Sequence, residues 1–341
     1  MKKLVSVSSV FSAAVIGAGL LFLSAGNVDA QDSEGSITLY GNDFIDEIPP
    51  RFTEDTGIEV NAVHHAGGEL FAQVEAEQAN PQWDVLFVDG HGSMQSLADR
   101  DFLLTDWEPE NLSNLDDYFL DLVPEDYAYF PTGLHAAAVI AYNTDLVDEA
   151  DAPQNWEEFF AFEGQVGHAD PAVAAPAYPL VSALFEYFGV EEAKEMYLDR
   201  MDMGLSVYPK NGPVTQALLN GEIEVAALQE HNAYGAYLDG EPVEIIWPEE
   251  GAPGSLRIVA INAESENLEE AKAFVEYLLE NETQQFMASL ENTDSFFTPS
   301  VADIEGREER EEDPTFLLPA ASWAAEFEAE IKTWFADQNV N

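Results

Sequence analysis

Short apolar runs alternate with helical patterns in the first third of the chain. The runs Ser36–Tyr40, Ile58–Val63 and Asp84–Val88 predict β-strands. Helical spacing predicts helices over Ile45–Thr56 and Glu69–Gln78. The third run is continuously apolar, which indicates a strand that is buried on both faces. This β-α-β-α-β order favours a parallel sheet with helices on both sides.

Two further apolar runs, Gly133–Tyr142 and Gly254–Ile261, predict strands that cross from one domain to another. Between them, Val207–Gly251 reads as loop, helix, strand, helix and strand. After them, single helices are predicted over Leu268–Leu290 and Ser322–Phe335. The chain therefore predicts two α/β domains, residues 31–137 plus 257–290 and residues 138–256 plus 291–341.

The first thirty residues have the pattern of a secretory signal peptide. Lys2 and Lys3 precede an apolar run over Val10–Leu23, and small residues lead to Ala30, after which we expect cleavage. No other apolar run approaches the ~20 residues of a membrane span. The sequence contains no cysteine, which excludes lipid anchoring through cysteine and disulfides. We expect a periplasmic or extracellular protein.

Acidic residues dominate the composition. The chain has 12 lysines and arginines against 66 aspartates and glutamates, a formal net charge of -54. Nucleic acid is therefore excluded as a partner. The acids occur on nearly every predicted helix, which indicates a halophilic surface adapted to concentrated salt, where repulsion is screened. We expect the melting temperature to rise between about 0.1 M and about 2 M sodium chloride.

Polar residues cluster where predicted strands and helices meet. Ligands of open α/β sheets bind at the carboxyl edge of the strands, and helix starts offer unpaired amides. The candidate ligand-binding residues are Asn42, Asp43, Gly68, Glu69, Asp89, His91, Asn211, Gly212, Glu230, His231 and Tyr234.

Several stretches resemble the extracellular solute-binding proteins of ABC importers, in the branch that contains ferric-ion, aminoethylphosphonate and thiamine binders. They include LYGN (39–42), GGELFAQVEAEQANPQWDVLF (67–87), IAYNTDLV (140–147), ALLNGEIEVAAL (217–228) and EEAKAFVEYLLENETQQ (269–285). The resemblance implies a type II periplasmic-binding-protein fold, with the ligand cleft between two hinged α/β domains. It also implies a monomer without a cofactor that is not an enzyme and that delivers a small polar solute to an ABC permease.

Three classes of solute remain open. A phosphonate or carboxylate would use helix-start amides and Lys210. An organic cation would use carboxylates together with Tyr40, Tyr142, Tyr178, Tyr234 and Trp247, which fall near predicted strand ends.

For a ferric ion, the resemblance implies a histidine after the first strand, an acid after the third and two adjacent tyrosines. Asp89 and Tyr234 match two of these ligands, but Asp43 or Phe44 stands where the histidine is expected. His64, His65, His91 or His231 would substitute only if the fold turned one inward. A secreted hydrolase is the rival class, although Ser93 lies outside any GxSxG motif.

Overall fold

The computed structural model describes residues 35–172 and 177–338. The described residues form one compact unit. The predicted signal peptide and its cleavage site lie outside the described residues.

Twelve strands occur in the described residues, and they confirm the α/β prediction. In chain order they are β1 (Ser36–Gly41), β2 (Glu59–His64), β3 (Val85–Asp89), β4 (Phe130–Ala136), β5 (Val139–Asn143), β6 (Val166–Ala169), β7 (Leu205–Tyr208), β8 (Val225–Leu228), β9 (Val243–Ile246), β10 (Ala252–Ile261), β11 (Thr298–Pro299) and β12 (Phe316–Leu317).

Twelve α-helices accompany these strands in the same described ranges. They are α1 (Ile48–Thr56), α2 (Gly67–Ala76), α3 (His91–Ala98), α4 (Asp117–Leu120), α5 (Trp156–Ala161), α6 (Ala177–Phe188), α7 (Val190–Met203), α8 (Asn211–Leu219), α9 (Glu230–Leu238), α10 (Leu268–Leu278), α11 (Asn281–Ser289) and α12 (Ala321–Gln338). None of the described helices is long and apolar enough to cross a membrane.

The strands form two sheets. The first sheet has the order β11-β4-β10-β3-β1-β2, with β12 beside β10. Its β1, β2 and β3 are parallel, as the alternation of strands and helices predicts, whereas β10 is antiparallel to both β3 and β4. The second sheet has the order β7-β6-β8-β5-β9. Its β6, β7 and β8 are parallel, and β5 is antiparallel to β8 and β9.

The chain crosses between the sheets in short connections. The predicted single strand Gly133–Tyr142 is two strands, because the backbone leaves the first sheet after β4 and enters the second at β5. The return crossing precedes β10, which begins at Ala252 and lies wholly in the first sheet. Residues 298–299 also add a strand to the first sheet. The exact boundaries of the two domains remain a prediction.

Two helical regions differ from the prediction. The single helix predicted over Leu268–Leu290 is divided into α10 and α11, with Glu280 in an extended conformation between them. This break lets Gln284 donate to the carbonyl oxygens of Leu278 and Thr132. Helix α7 and strand β7 were not predicted, because half of the residues of α7 are charged and it buries only Ala193, Tyr197 and Arg200.

Each sheet has its own apolar core, and α12 contacts both sides. Ile331 and Phe335 of α12 belong to the core of the second sheet. On the other side, a Cβ placed on Gly92 of α3 would lie 2.8 Å from the Cβ of Ala324, so only glycine permits this approach of the two helices. Helix α12 therefore connects α3 of the first sheet to the second sheet.

Candidate functional site

A cavity of 530 Å³ lies between the two sheets, and we call it the cleft cavity. One wall consists of the ends of β1 and β2, the start of α2 and residues 293–294, and the other consists of α8, α9 and residue 241. Its lining carboxylates are Asp43, Asp239, Glu241 and Asp294, whereas none of the described lining residues is lysine or arginine. The cleft cavity is therefore acidic.

An arginine stands behind the acidic wall. Arg257 donates from Nε and Nη2 to Oδ2 of Asp43, at 3.0 Å and 2.6 Å. Its guanidinium lies 4.7 Å from the ring centre of Phe44 and 4.9 Å from that of Phe297. Burial opposes its charge, but the carboxylates of Asp43 and Asp89 leave the pKa of Arg257 raised. This arginine holds Asp43 in place and is itself excluded from solvent.

Strand pairing brings Asp89 to the same place, because Asp89 of β3 lies opposite Arg257 of β10. Its Oδ2 accepts from Nδ2 of Asn42 at 3.0 Å. Its Oδ1 is 3.1 Å from Nε2 of His135, although the two groups are not aligned as a hydrogen bond. Burial raises the pKa of Asp89. Burial and the positive charge of Arg257 lower the pKa of His135 to about 3. We infer a neutral imidazole at His135.

A second buried arginine, Arg310, lies on the other side of the site. Arg310 Nε lies 3.2 Å from Oε2 of Glu230, the first residue of α9. Its Nη1 donates to Oγ1 of Thr298 at 2.8 Å, and its guanidinium lies 5.1 Å from the ring centre of Trp247. Burial raises the pKa of Glu230 to about 7, and Arg310 opposes that rise. The pair joins α9 to the segment that follows β11.

Two groups of potential metal ligands occur among the described residues. They are His135, Glu230 and His231, and Asp43, Asp89 and His135. The rings of His135 and His231 are stacked, with centres 4.4 Å apart and planes at 29°. Imidazole lone pairs lie in the ring plane, so stacked rings do not converge on one ion. In the second group, the carboxylate of Asp43 already accepts a hydrogen bond from Arg257. Both groups therefore favour ion pairs over a metal ion.

Three of the eleven candidate residues line the cleft cavity, namely Asn42, Asp43 and His231. Asp89 and Glu230 belong to the buried ion pairs behind it. The carboxylate of Glu69 lies 3.9 Å from Nζ of Lys210, which precedes α8, so this pair spans the two sides.

The other candidates do not line this cavity. His91 Nε2 is 2.9 Å from the carbonyl oxygen of Pro319. Gly68 lines a separate groove beside α12. Asn211 donates to Oε1 of Gln229, and a Cβ on Gly212 would meet no atom within 4 Å. Tyr234 stacks on Phe296, and its hydroxyl accepts from Trp247 Nε1. Contact of any candidate with a solute remains a prediction.

The structure adds Asp239, Glu241 and Asp294 to the lining of the cleft cavity, which sequence patterns did not indicate. It also places in this lining His64, His65 and His231, three of the four histidines that the sequence offered as substitutes for the missing iron ligand. Asp294 accepts a hydrogen bond from the amide of Phe44, 250 positions away, and no local pattern signals such a contact. Arg257 had a detectable signal, since an arginine within an apolar strand requires a buried partner.

None of the five aromatic residues that were predicted to bind an organic cation lines the cleft cavity. Among them, Tyr40 donates to the carboxylate of Glu77, and the hydroxyl of Tyr178 donates to the carbonyl oxygen of Ala324. Ser93 donates to the carboxylate of Glu328 on α12, at 3.0 Å and 3.1 Å.

Similar proteins share this architecture over most of their length. The spermidine/putrescine-binding periplasmic protein of Escherichia coli is 23% identical over 311 residues, 84% of this chain and 84% of that protein. Iron-bound HitA from Pseudomonas aeruginosa has a TM-score of 0.76 at 23% identity, covering 88% of this chain and 99% of HitA. AfuA from Actinobacillus pleuropneumoniae, with exogenous fructose-6-phosphate bound, has a TM-score of 0.78 at 19% identity, covering 91% and 100%.

These structures confirm the predicted type II periplasmic-binding-protein fold. The family model for bacterial extracellular solute-binding proteins matches residues 50–317 of this chain. The chain therefore belongs to the family of bacterial extracellular solute-binding proteins, as the solute-binding component of an ABC importer.

Proposed function

We propose that this protein captures a small organic solute that carries a protonated amine. The observation that carries the proposal is the lining of the cleft cavity, where four carboxylates face the space and no described lysine or arginine does. Carboxylates favour a cation by charge and offer it acceptors. The E. coli relative is named for binding spermidine and putrescine, which are amines.

Capture would proceed by closure of the two sides around the solute, followed by delivery to an ABC permease by a monomer. The short crossings after β4 and before β10 are the proposed hinge. Interactions between solute and protein that form only in the closed state supply the free energy of closure. Small-angle scattering should show a smaller radius of gyration with saturating solute, and an unchanged radius would contradict hinge closure.

A thermal-shift panel tests the solute class. It should contain putrescine, spermidine, thiamine, 2-aminoethylphosphonate, phosphate, fructose-6-phosphate and ferric citrate. A solute at a hundredfold excess over its dissociation constant stabilises the folded state by about 2.7 kcal/mol. We expect amines to raise the melting temperature. A shift with phosphate, fructose-6-phosphate or ferric citrate, and with no amine, would overturn the proposal.

A ferric ion is the second candidate solute. Two groups of potential ligands share His135, and the ligand atoms of each group lie within 4.8 Å of one another, but as they stand they form ion pairs and stacked rings. Binding would require Arg257 to leave Asp43, and Tyr234 would have to lose its bonds to Trp247 and Glu311. A visible tyrosinate-to-iron band that disappears in Tyr234→Phe would establish this candidate.

We also propose that the protein acts by binding alone, outside the cytoplasmic membrane, after removal of the predicted signal peptide. Within the described residues, the hydroxyl of Ser93 donates to a carboxylate of α12 rather than to a histidine that could act as its base. Amino-terminal sequencing of exported protein should begin at Gln31, and a start at Met1 would contradict export by cleavage. Ester or glycoside hydrolysis that is lost in Ser93→Ala would favour the hydrolase.

A further inference from the structure

His231 lines the cleft cavity, is only 8% exposed, and has one ring nitrogen that accepts no hydrogen bond from the described residues. Its Nε2 lies 3.0 Å from the carbonyl oxygen of Phe296. A carbonyl oxygen only accepts, so Nε2 carries the proton and Nδ1 bears the lone pair. No described residue donates a hydrogen bond to Nδ1. Burial and the neighbouring His135 lower the pKa of His231, which keeps the ring neutral.

Asp294, which lines the same cavity, uses only one of its two carboxylate oxygens as a hydrogen-bond acceptor. Asp294 accepts from the amide of Phe44 through Oδ2 at 3.1 Å, whereas Oδ1 accepts no hydrogen bond from the described residues. Burial, followed by the charge of Asp43, raises the pKa of Asp294 to about 6. Glu47 adds to the rise, while the amide of Phe44 and the guanidinium of Arg257 oppose it. Its ionised form therefore lacks a sufficient counter-charge.

Asp43 differs from Asp294 because both of its oxygens are occupied. Oδ1 accepts from Asn42, and Oδ2 accepts from Arg257. Arg257 already pairs with Asp43 and lies 3.9 Å from Asp89, so its single positive charge does not balance Asp294 as well when these carboxylates are ionised. Asp43 contributes only negative charge to the cavity, whereas Asp294 contributes negative charge and a free hydrogen-bond acceptor.

We propose that Nδ1 of His231 and Oδ1 of Asp294 hold the protonated primary amine of the solute. This inference rests on the proposed function and names the residues that recognise its charged group. A primary ammonium carries three N–H donors, so it can satisfy both acceptors and still present a third donor to the cavity. A quaternary ammonium has the same charge and no N–H donor. The site therefore selects primary amines over quaternary ones.

Isothermal titration with putrescine and its bis-trimethylammonium analogue tests this selection. The wild-type protein should bind putrescine at least about tenfold more tightly, because a hydrogen bond to a charged group contributes roughly 1.5–3 kcal/mol. Asp294→Asn should weaken putrescine binding by about tenfold or more, with a smaller effect on the quaternary analogue. The exposed neighbour Glu291 provides a matched control, and Glu291→Gln should bind as the wild type does.

The histidine is tested by two substitutions that separate its nitrogen atoms. His231→Gln retains a donor toward Phe296 but lacks an acceptor at the position of Nδ1. His231→Asn places an amide oxygen near that position. We expect the glutamine variant to lose affinity for putrescine about tenfold and the asparagine variant to lose less. Equal losses of affinity in both variants would mean that His231 only holds the cavity wall in place through its bond to Phe296.

The pH profile provides a readout that a purely structural role would not change. A bound ammonium favours ionised Asp294, so wild-type affinity should fall as the pH drops below about 6, by up to about tenfold per pH unit. Asp294→Asn should lack this component, and any dependence that remains comes from Asp43, Glu47, Arg257 and the histidines of the lining, His64, His65 and His231.

The outcomes separate the inference from the function on which it rests. If no amine in the panel binds the wild type, the proposed function fails and the inference fails with it. If putrescine binds but Asp294→Asn keeps the affinity within about twofold and the same pH slope, only the inference fails. If Asp294→Asn does not fold in a melting experiment, the wild-type preference for the primary amine and its pH slope decide the question.

Discussion

The carboxylates around the cleft fall into two regions that differ in what balances their charge. In the first region, Asp43 of the cavity lining contacts Arg257, and Glu230 behind the lining contacts Arg310, with little exposure to solvent. On the α9 side of the cavity, Asp239 and Glu241 have no lysine or arginine nitrogen within 4 Å among the described residues. The first region holds the walls in position, and the second leaves negative charge for a cationic solute to balance.

Removal of the arginine behind the wall should have the largest effect. Arg257→Met would leave Asp43 and Asp89 without their shared cation, and breaking a buried ion pair costs about 3–5 kcal/mol. The free energy of unfolding from urea denaturation measures this loss. Arg100→Met removes the exposed pair with Glu75 and should cost less than about 1 kcal/mol. Equal losses in the two variants would erase the distinction between the regions.

Glu230 should make stability depend on pH. Its folded pKa is about 7, above the value of an unfolded glutamate, so the folded state binds the proton more tightly. The resulting stability is fully present below about pH 4.5 and is lost as the pH rises through about 7, at up to about 1.4 kcal/mol per unit.

Melting experiments from about pH 4.5 to about pH 8 check this effect. Glu230→Gln should flatten the pH dependence relative to the wild type, because glutamine does not titrate. Other buried acids such as Asp89 and Asp294 contribute to both curves, so the difference isolates Glu230. The exposed Glu222 is the control, and Glu222→Gln should leave the curve unchanged. An identical slope in Glu230→Gln and the wild type would contradict the prediction.

Substitutions on the α9 side of the cavity should change the affinity for putrescine rather than the stability of the protein. Asp239→Asn and Glu241→Gln remove exposed carboxylates from the cavity lining. Each should weaken putrescine binding about threefold to tenfold, with less than about 0.5 kcal/mol of change in the free energy of unfolding. Titration calorimetry with each variant measures the affinity. Unchanged affinity in the double variant would mean that this wall does not face the solute.

The sequence predicted the outline of the fold because its signals are local. Continuous apolar runs identified β3 and β10, and the strand–helix alternation indicated the parallel part of the first sheet. The break at Glu280 was missed because apolar spacing continues through both α10 and α11. The turn from β4 to β5 was missed because alanine fills it without interrupting the apolar run.

The candidate site was less predictable, since it depends on contacts between distant segments. Asn42, Asp43 and His231 were found because they follow strands. His135 lies inside an apolar strand and joins the site through contacts with Asp89 and His231, which are distant in the sequence. Arg310 comes from an acidic segment of low complexity, where nothing marks one arginine as the partner of Glu230. The position of a residue at a strand end therefore identifies it as a candidate, whereas its partners from distant segments can be identified only from the folded structure.

The smallest effect should come from the exposed pair that spans the cleft. Lys210 Nζ is 3.9 Å from Oε1 of Glu69, and both side chains are more than half exposed. Solvent and salt screen such a pair, so Lys210→Met should change the free energy of unfolding by less than about 0.5 kcal/mol at about 0.1 M sodium chloride. The difference should vanish at about 1 M, where the Debye length is about 3 Å. Urea denaturation at both concentrations measures it. A loss above about 1 kcal/mol that persists in high salt would place this pair with the buried ones.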